Sequence, residues 1–173
     1  MAARGALGTA ACGSARAALA DRQGADQPAH EGRVGERYAA RLVEQWTGLL
    51  SGELKACLKV GDSAALFNEV ELSCDDQVWV FVQSVIPDDT LCLHPWLAEL
   101  GDCSLGELIA TLSGVERSSY EYGWLPADDA LSARALRDAD LAPQGLWARR
   151  SRILLRGAPL LAQEAFLPSA GRI

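Results

Sequence analysis

The chain has 173 residues, of which 49% are hydrophobic; that is about one domain's length, with enough apolar side chains for a core, and it excludes wholesale disorder. A net charge of −7 excludes a broad nucleic-acid surface, which needs clustered positive charge to meet phosphates. A small anionic ligand stays compatible, because one local group of arginines can outweigh the overall sign.

Residues 1–33 are rich in alanine and glycine and contain no large aromatic. They read as a tail outside a domain that runs over 34–173: a disordered segment, a start codon placed too far upstream, or a targeting peptide, since the first twenty residues carry arginine and no acid. His30 falls in this tail. The N-terminus lacks the compact apolar core of a secretory signal. No apolar run reaches the roughly 18 residues of a membrane helix; the longest, "VWVFVQSVIP", holds a glutamine and stops at a proline.

From Gly35 onward the spacing of Tyr38, Leu42, Trp46 and Leu49 predicts a helix with one apolar face. "LKACLKV" (54–60) alternates like a strand. "ALFNEVELS" (65–73) and "VWVFVQSVI" (78–86) flank an acidic turn and read as a hairpin closed by Pro87. Ser104 and Glu107 form the S-x-x-E pattern of a capping box and predict a helix starting at Ser104. "SSYEYGW" (118–124) reads as a strand, and "DDALSARALRDADL" as a helix or helical turn. The chain closes with a hairpin whose "RGAP" turn spans 156–159. The sum is an α+β fold, a six-stranded antiparallel sheet with helices covering one face, without the regular crossovers of a parallel sheet. The five cysteines are odd in number and show no framework spacing, so they read as free thiols in a reducing cytoplasm. Cys92 and His94 lack a second ligand pair, so no metal is expected.

The last hairpin carries the chemistry. Leu160, Ala162, Glu164 and Phe166 alternate and share one strand face. Burial among apolar neighbours favours a protonated carboxyl, able to donate a hydrogen bond or shuttle a proton, unless a nearby arginine satisfies Glu164 instead. Arg149, Arg150 and Arg152 precede it on the partner strand. If the turn holds an even number of residues, Ser151 opposes Glu164 and Arg149 shares its face, while Arg150 and Arg152 point away; an odd loop or a bulge reverses this.

The stretch "GLWARRSRILLRGAPLLAQEAFLP" (145–168) resembles the C-terminal signature of the chorismate pyruvate-lyase family: Gly-Leu-Trp, Arg-Arg-Ser-Arg, a Gly/Pro turn, Pro-Leu-Leu, then Glu before Phe-Leu-Pro. Weaker likeness continues through Glu69, Trp79 and Pro87 of the central hairpin, "LGDCSLGELI" around Leu105, and "RYAARL" (37–42). The resemblance implies a six-stranded antiparallel sheet with helices on one face. It also implies cleavage of chorismate to 4-hydroxybenzoate and pyruvate at the head of ubiquinone synthesis, by a cytoplasmic monomer that uses no metal and no organic cofactor. By the same resemblance Glu164 meets the 4-hydroxyl end, Leu105 offers a backbone N–H at the start of its helix, and Tyr38 lines the site. The family's carboxylate-binding arginine falls at Asn68 here, and a second family arginine at Gln83. Asparagine carries no charge, which leaves three readings: Arg149 or Arg41 supplies the anchor, the site takes a different aromatic or enol-ether ligand, or the chain is a weak catalyst kept for binding. A reading from another class is a non-catalytic aromatic-acid-binding module, since the fold also serves as the effector-sensing domain of transcription regulators.

Overall fold

The computed structural model describes residues 38–74 and 77–171; the tail at 1–33 and the acidic turn residues Asp75 and Asp76 lie outside the described residues. In chain order the elements are β1 (Tyr38–Leu49), α1 (Gly52–Leu58), β2 (Ala64–Cys74), β3 (Gln77–Pro87), α2 (Asp88–Leu93), a 3-10 turn (Pro95–Glu99), α3 (Leu105–Ala110), β4 (Val115–Arg117), β5 (Glu121–Leu125), α4 (Ala130–Asp138), β6 (Leu146–Leu155) and β7 (Ala158–Phe166). The strands make one antiparallel sheet in the order β1-β2-β3-β7-β6-β4, with β5 paired to the first half of β6. The α+β antiparallel architecture expected from the sequence is present, with seven strands among the described residues.

β2 is buried without a break from Ala65 to Glu71, because both faces of the sheet are covered. On one face α2, the 3-10 turn and α3 set Leu97, Leu100, Leu105, Leu108 and Ile109 against Leu66, Ile86, Ile153 and Leu160. On the other, α1 packs Leu58 onto Phe67, Val85 and Leu161, and α4 packs Leu131, Ala135 and Leu136 onto Phe81 and Ala165.

Two local expectations are corrected. The predicted helix at 35–49 is strand β1, paired with β2 from Tyr38↔Cys74 to Leu49↔Ala64. A spacing of four residues is a multiple of the strand period of two, so Tyr38, Leu42 and Trp46 fit either pattern. Pairing with the otherwise open edge of β2 decides in favour of the strand. A bulge between Leu42 and Glu44 then shifts the alternation, leaving Tyr38 and Leu42 on one face and sending Trp46 to the other, where it stacks on Phe67 at 5.0 Å. The predicted strand at 54–60 is helix α1: the Ser51 hydroxyl accepts the Leu54 N–H at 3.2 Å, and Leu54, Cys57 and Leu58 recur at i, i+3, i+4 against the core. The cysteine reading is also corrected. Cys57, Cys74 and Cys92 are free, whereas Cys103 is disulfide-bonded. No helix among the described residues is long and apolar enough to cross a membrane.

α4 is fixed by charge as well as by packing. Asp129 caps its N-terminus, accepting from the Leu131 and Ser132 N–H groups. Arg134 then reaches the sheet, where its Nε donates to Glu69 Oε1 at 2.5 Å, its guanidinium also pairs with Glu44, and it lies 4.2 Å over the Trp46 ring. Glu69 is fully buried and accepts a further bond from Gln83 Nε2 at 2.8 Å. Removing one partner of such a pair leaves a buried charge uncompensated. Arg134→Met should therefore cost about 3–5 kcal/mol of stability in denaturant unfolding, while Glu69→Gln in the Arg134→Met background should recover part of that loss.

Candidate active site

The turn between β6 and β7 sets the geometry of the site. Arg156 and Gly157 both have positive φ, 51° and 87°, the pattern of a two-residue type I′ hairpin, so Leu155 pairs with Ala158. The register differs by two residues from the expected one: Arg149, not Ser151, opposes Glu164, and Ser151 opposes Ala162. A shift of two keeps the faces, so Arg149, Ser151 and Glu164 share one face as expected. Arg150 and Arg152 point to the other. There Arg150 pairs with Glu121 at 2.8 Å and Glu53 at 2.6 Å, and Arg152 Nε donates to the Leu58 carbonyl at 2.9 Å.

Across the face beneath α3 the side chains fall into rows. Asn68, Ser84, Ala162 and Ser151 stand in register on β2, β3, β7 and β6. The next row is Val70, Val82, Glu164 and Arg149. Asn68 is 1% exposed and Ser151 2%. Neither amide atom of Asn68 and not the hydroxyl of Ser151 has a hydrogen-bond partner among the described residues. Leaving such a group unpaired costs about 1–3 kcal/mol, and most buried polar groups in native proteins avoid it.

Glu164 is not the isolated acid that its apolar sequence neighbours suggest. Arg149 Nε donates to its Oε2 at 2.7 Å and a terminal guanidinium nitrogen lies 2.6 Å from the same oxygen. The guanidinium is stacked 4.4 Å from the Tyr120 ring centroid and 5.5 Å from that of Phe166. The arginine-satisfied reading of Glu164 is the one realised, because the hairpin register brings the two residues face to face.

Tyr38 and Leu105 close the site from above. Burial first, then the carboxylates of Glu107 and Glu164, push the Tyr38 phenol up to about 12, while a hydrogen bond from Ser104 opposes that shift. Glu107 and Ser104 at the start of α3 are thus neighbours of the Tyr38 phenol. This corrects the capping-box expectation: Ser104 has extended backbone at the N-cap but its side chain does not cap α3. Leu105 opens α3 as expected and is buried, its side chain in the core. The loop ahead of α3 is tied to β1 by Asp102, whose Oδ1 accepts the Leu42 N–H at 2.7 Å beside the bulge.

Two residues weighed as arginine substitutes or losses lie on the opposite face. Arg41 pairs with the buried Glu71 there and so does not serve this site. Gln83 bridges Glu69 and Gln163. A cleft of about 360 Å³ opens on that opposite face, lined by Ser51, Glu53, Gln83, Tyr122, Arg150 and Gln163 among others. It does not include Asn68, Ser151 or Glu164, although Arg149 borders it. Tyr120, which supports Arg149, carried no signal in the sequence, since its role arises from a link between two short strands.

The family described as chorismate lyase matches residues 31–172. A chorismate pyruvate-lyase of Salmonella schwarzengrund is 32% identical over 140 residues, 80% of this chain and 74% of its own length. A "Probable chorismate pyruvate-lyase" of Vibrio vulnificus is 37% identical over 107 residues, covering 61% of this chain and 51% of that protein, so the chain spans about half the length of the curated relatives it matches in this way. Among solved structures, a GntR-family transcriptional regulator from Bacillus cereus superposes with a TM-score of 0.59 at 12% identity, over 80% of this chain and 96% of that one. The effector domain of PhnF from Mycobacterium smegmatis gives 0.56 at 18% identity, over 76% and 82%. These two share the fold alone. The match over 142 residues and the level of identity to named lyases place this chain in the chorismate lyase family.

Proposed function

We propose that the chain is a chorismate pyruvate-lyase whose site is the face between the sheet and α3. The observation that carries this is the pair of buried, unpartnered polar side chains, Asn68 and Ser151, set beside Glu164 on one face. A protein that leaves such groups without a partner of its own forgoes stability, and a polar ligand that fills their hydrogen bonds restores it. Asn68 and Glu164 stand two strands apart, roughly 10 Å laterally at about 4.8 Å per strand. Once the side chains lean inward, that spacing suits one aromatic ring with polar groups at its two ends.

In this reading the ring carboxylate meets the Asn68 amide and the Leu105 N–H, the 4-hydroxyl end meets Glu164, Tyr38 lines the mouth, and Arg149 is the remaining cation for the substrate. The reaction breaks the bond between ring C3 and the ether oxygen, whose electron pair leaves with the enolpyruvyl group. The C4 proton departs and its electron pair completes the aromatic ring; the departing enolate takes one proton at its methylene carbon and becomes pyruvate. Aromatisation supplies the driving force, so the protein's task is orientation and proton handling, with no metal or organic cofactor. The product, 4-hydroxybenzoate, would enter ubiquinone synthesis.

Incubation with chorismate while pyruvate is followed tests the reading directly. Binding of 4-hydroxybenzoate without pyruvate release would favour the non-catalytic binding module of the same fold. Glu164→Gln keeps the shape and loses the proton, so turnover should fall by about 10²-fold or more; it also leaves Arg149 without its partner, so the unfolding midpoint should drop and turnover is read on the folded fraction. Parental turnover would remove Glu164 from the chemistry. Asn68→Leu should move stability and binding in opposite directions. Replacing an unpaired buried amide by an apolar group of similar shape should stabilise the ligand-free protein by about 1 kcal/mol or more, and calorimetric titration should show weaker 4-hydroxybenzoate binding.

A further inference from the structure

Chorismate carries two carboxylates, and the site has one guanidinium, already engaged by Glu164. The groups that face Glu164 from each surrounding element can be named. β6 supplies Arg149, with Tyr120 stacked under the guanidinium. β1 supplies Tyr38, whose phenol is pushed up by the nearby carboxylates of Glu107 and Glu164, and β5 sets Tyr122 opposite Arg149. β3 supplies Val82 and β2 Val70 in the same row, with the uncharged Asn68 one row away. Arg117 stands beyond, on the far side of Tyr120, and is exposed. Arg149 and Glu164 therefore cancel, and the carboxylate of Glu107 adds negative charge at the mouth. A dianion entering this site would place two new anions where the only facing cation among the described residues is spoken for, and burial makes that arrangement costly.

Resting on the reading of the site as a chorismate pocket, we infer that Arg149 exchanges partners during the reaction: it leaves Glu164 for the enolpyruvyl carboxylate, and Glu164 takes up a proton as it is released. The geometry fits this division. The enolpyruvyl group sits on C3, next to the C4 hydroxyl that faces Glu164, so its carboxylate falls on the Arg149 side, while the ring carboxylate lies para to the hydroxyl, toward Asn68. Arg149 directs both contacts to a single oxygen of Glu164, which leaves other guanidinium N–H groups to make the first contact with an incoming carboxylate. The exchange turns a paired carboxylate into a neutral acid beside the breaking bond. Protons then balance within the site: Glu164 gives its proton to the departing enolate, and its carboxylate receives the C4 proton as the ring aromatises. Loss of pyruvate frees Arg149 to recapture Glu164, which gives up that proton to solvent.

The distinguishing feature is that the exchange needs the second carboxylate. Two stable ligands separate the cases: 4-hydroxybenzoate, with the ring carboxylate only, and 3-(carboxymethoxy)-4-hydroxybenzoate, with both. Calorimetric titration at pH 7 in buffers of different ionisation enthalpy counts the protons taken up. The expected result is about one proton for the dianion and close to none for the monoanion. Glu164→Gln should abolish the uptake. Arg149→Gln paired with Glu164→Gln, which leaves no buried charge unpartnered, should bind the dianion roughly 10- to 100-fold more weakly than Glu164→Gln alone and the monoanion nearly equally. Equal proton counts for the two ligands, uptake that survives Glu164→Gln, or equal losses for both ligands in the double variant would overturn the exchange while leaving pyruvate release as a separate test of the function. Failure of both ligands to bind would overturn the reading of the site, and the exchange with it.

Discussion

The register of the β6–β7 hairpin is the constraint on which the site depends. Two residues of positive φ, Arg156 and Gly157, close it, and every opposition along the pair follows from that closure. A slip of one residue would turn Arg149 and Ser151 to the opposite face and bring Arg150 and Arg152 to Glu164. The same strand carries the outward arginines that tie α1 and β5 to the sheet through Glu53, Glu121 and the Leu58 carbonyl. One turn thus assigns the arginines to two tasks: Arg149 to the site and its neighbours to the scaffold.

Glu69 on one face of the sheet and Asn68 on the other are buried alike but held differently. On the face under α4, Glu69 is buried yet fully engaged by Arg134 and Gln83, and Gln83 in turn accepts from Gln163. That network is complete within the protein and holds a helix in place. On the face under α3, Asn68 and Ser151 are buried to the same degree and have no partner among the described residues. Ser132 Oγ and Glu71 Oε1 on the α4 side also lack partners among the described residues, so the α3 face is marked by the grouping of Asn68 and Ser151 beside Glu164, not by an unpaired atom alone. The open cleft on the other side is lined by side chains already paired, such as Arg150 and Gln83.

Placement of Gln83 on the α4 face, away from Glu164, changes what its substitution means. Its amide bridges Glu69 and Gln163 and so maintains neutrality in a layer where Arg134 already offsets Glu69. Asn68 is different in kind, because it lies on the face that carries Ser151 and Glu164. With Arg41 committed to Glu71, Arg149 is the guanidinium that stands beside Glu164.

The central and terminal hairpins, the helix at 130–138 and the shared face of Arg149, Ser151 and Glu164 were legible in the sequence. Period-two alternation and turn residues are local signals, and parity survives an error of two in register. Less legible were β1 and α1, where a four-residue spacing or a short alternating run suits either structure, and only the open edge of β2 and the cap at Ser51 choose between them. The sequence by itself therefore determined the sheet's central strands, the family signature and the strand face on which the acid Glu164 stands. Tertiary structure decided what that acid touches, which arginine reaches it, and which buried polar groups are left without partners. Those are distances between residues far apart in the chain, and a pattern of one residue after the next does not encode them.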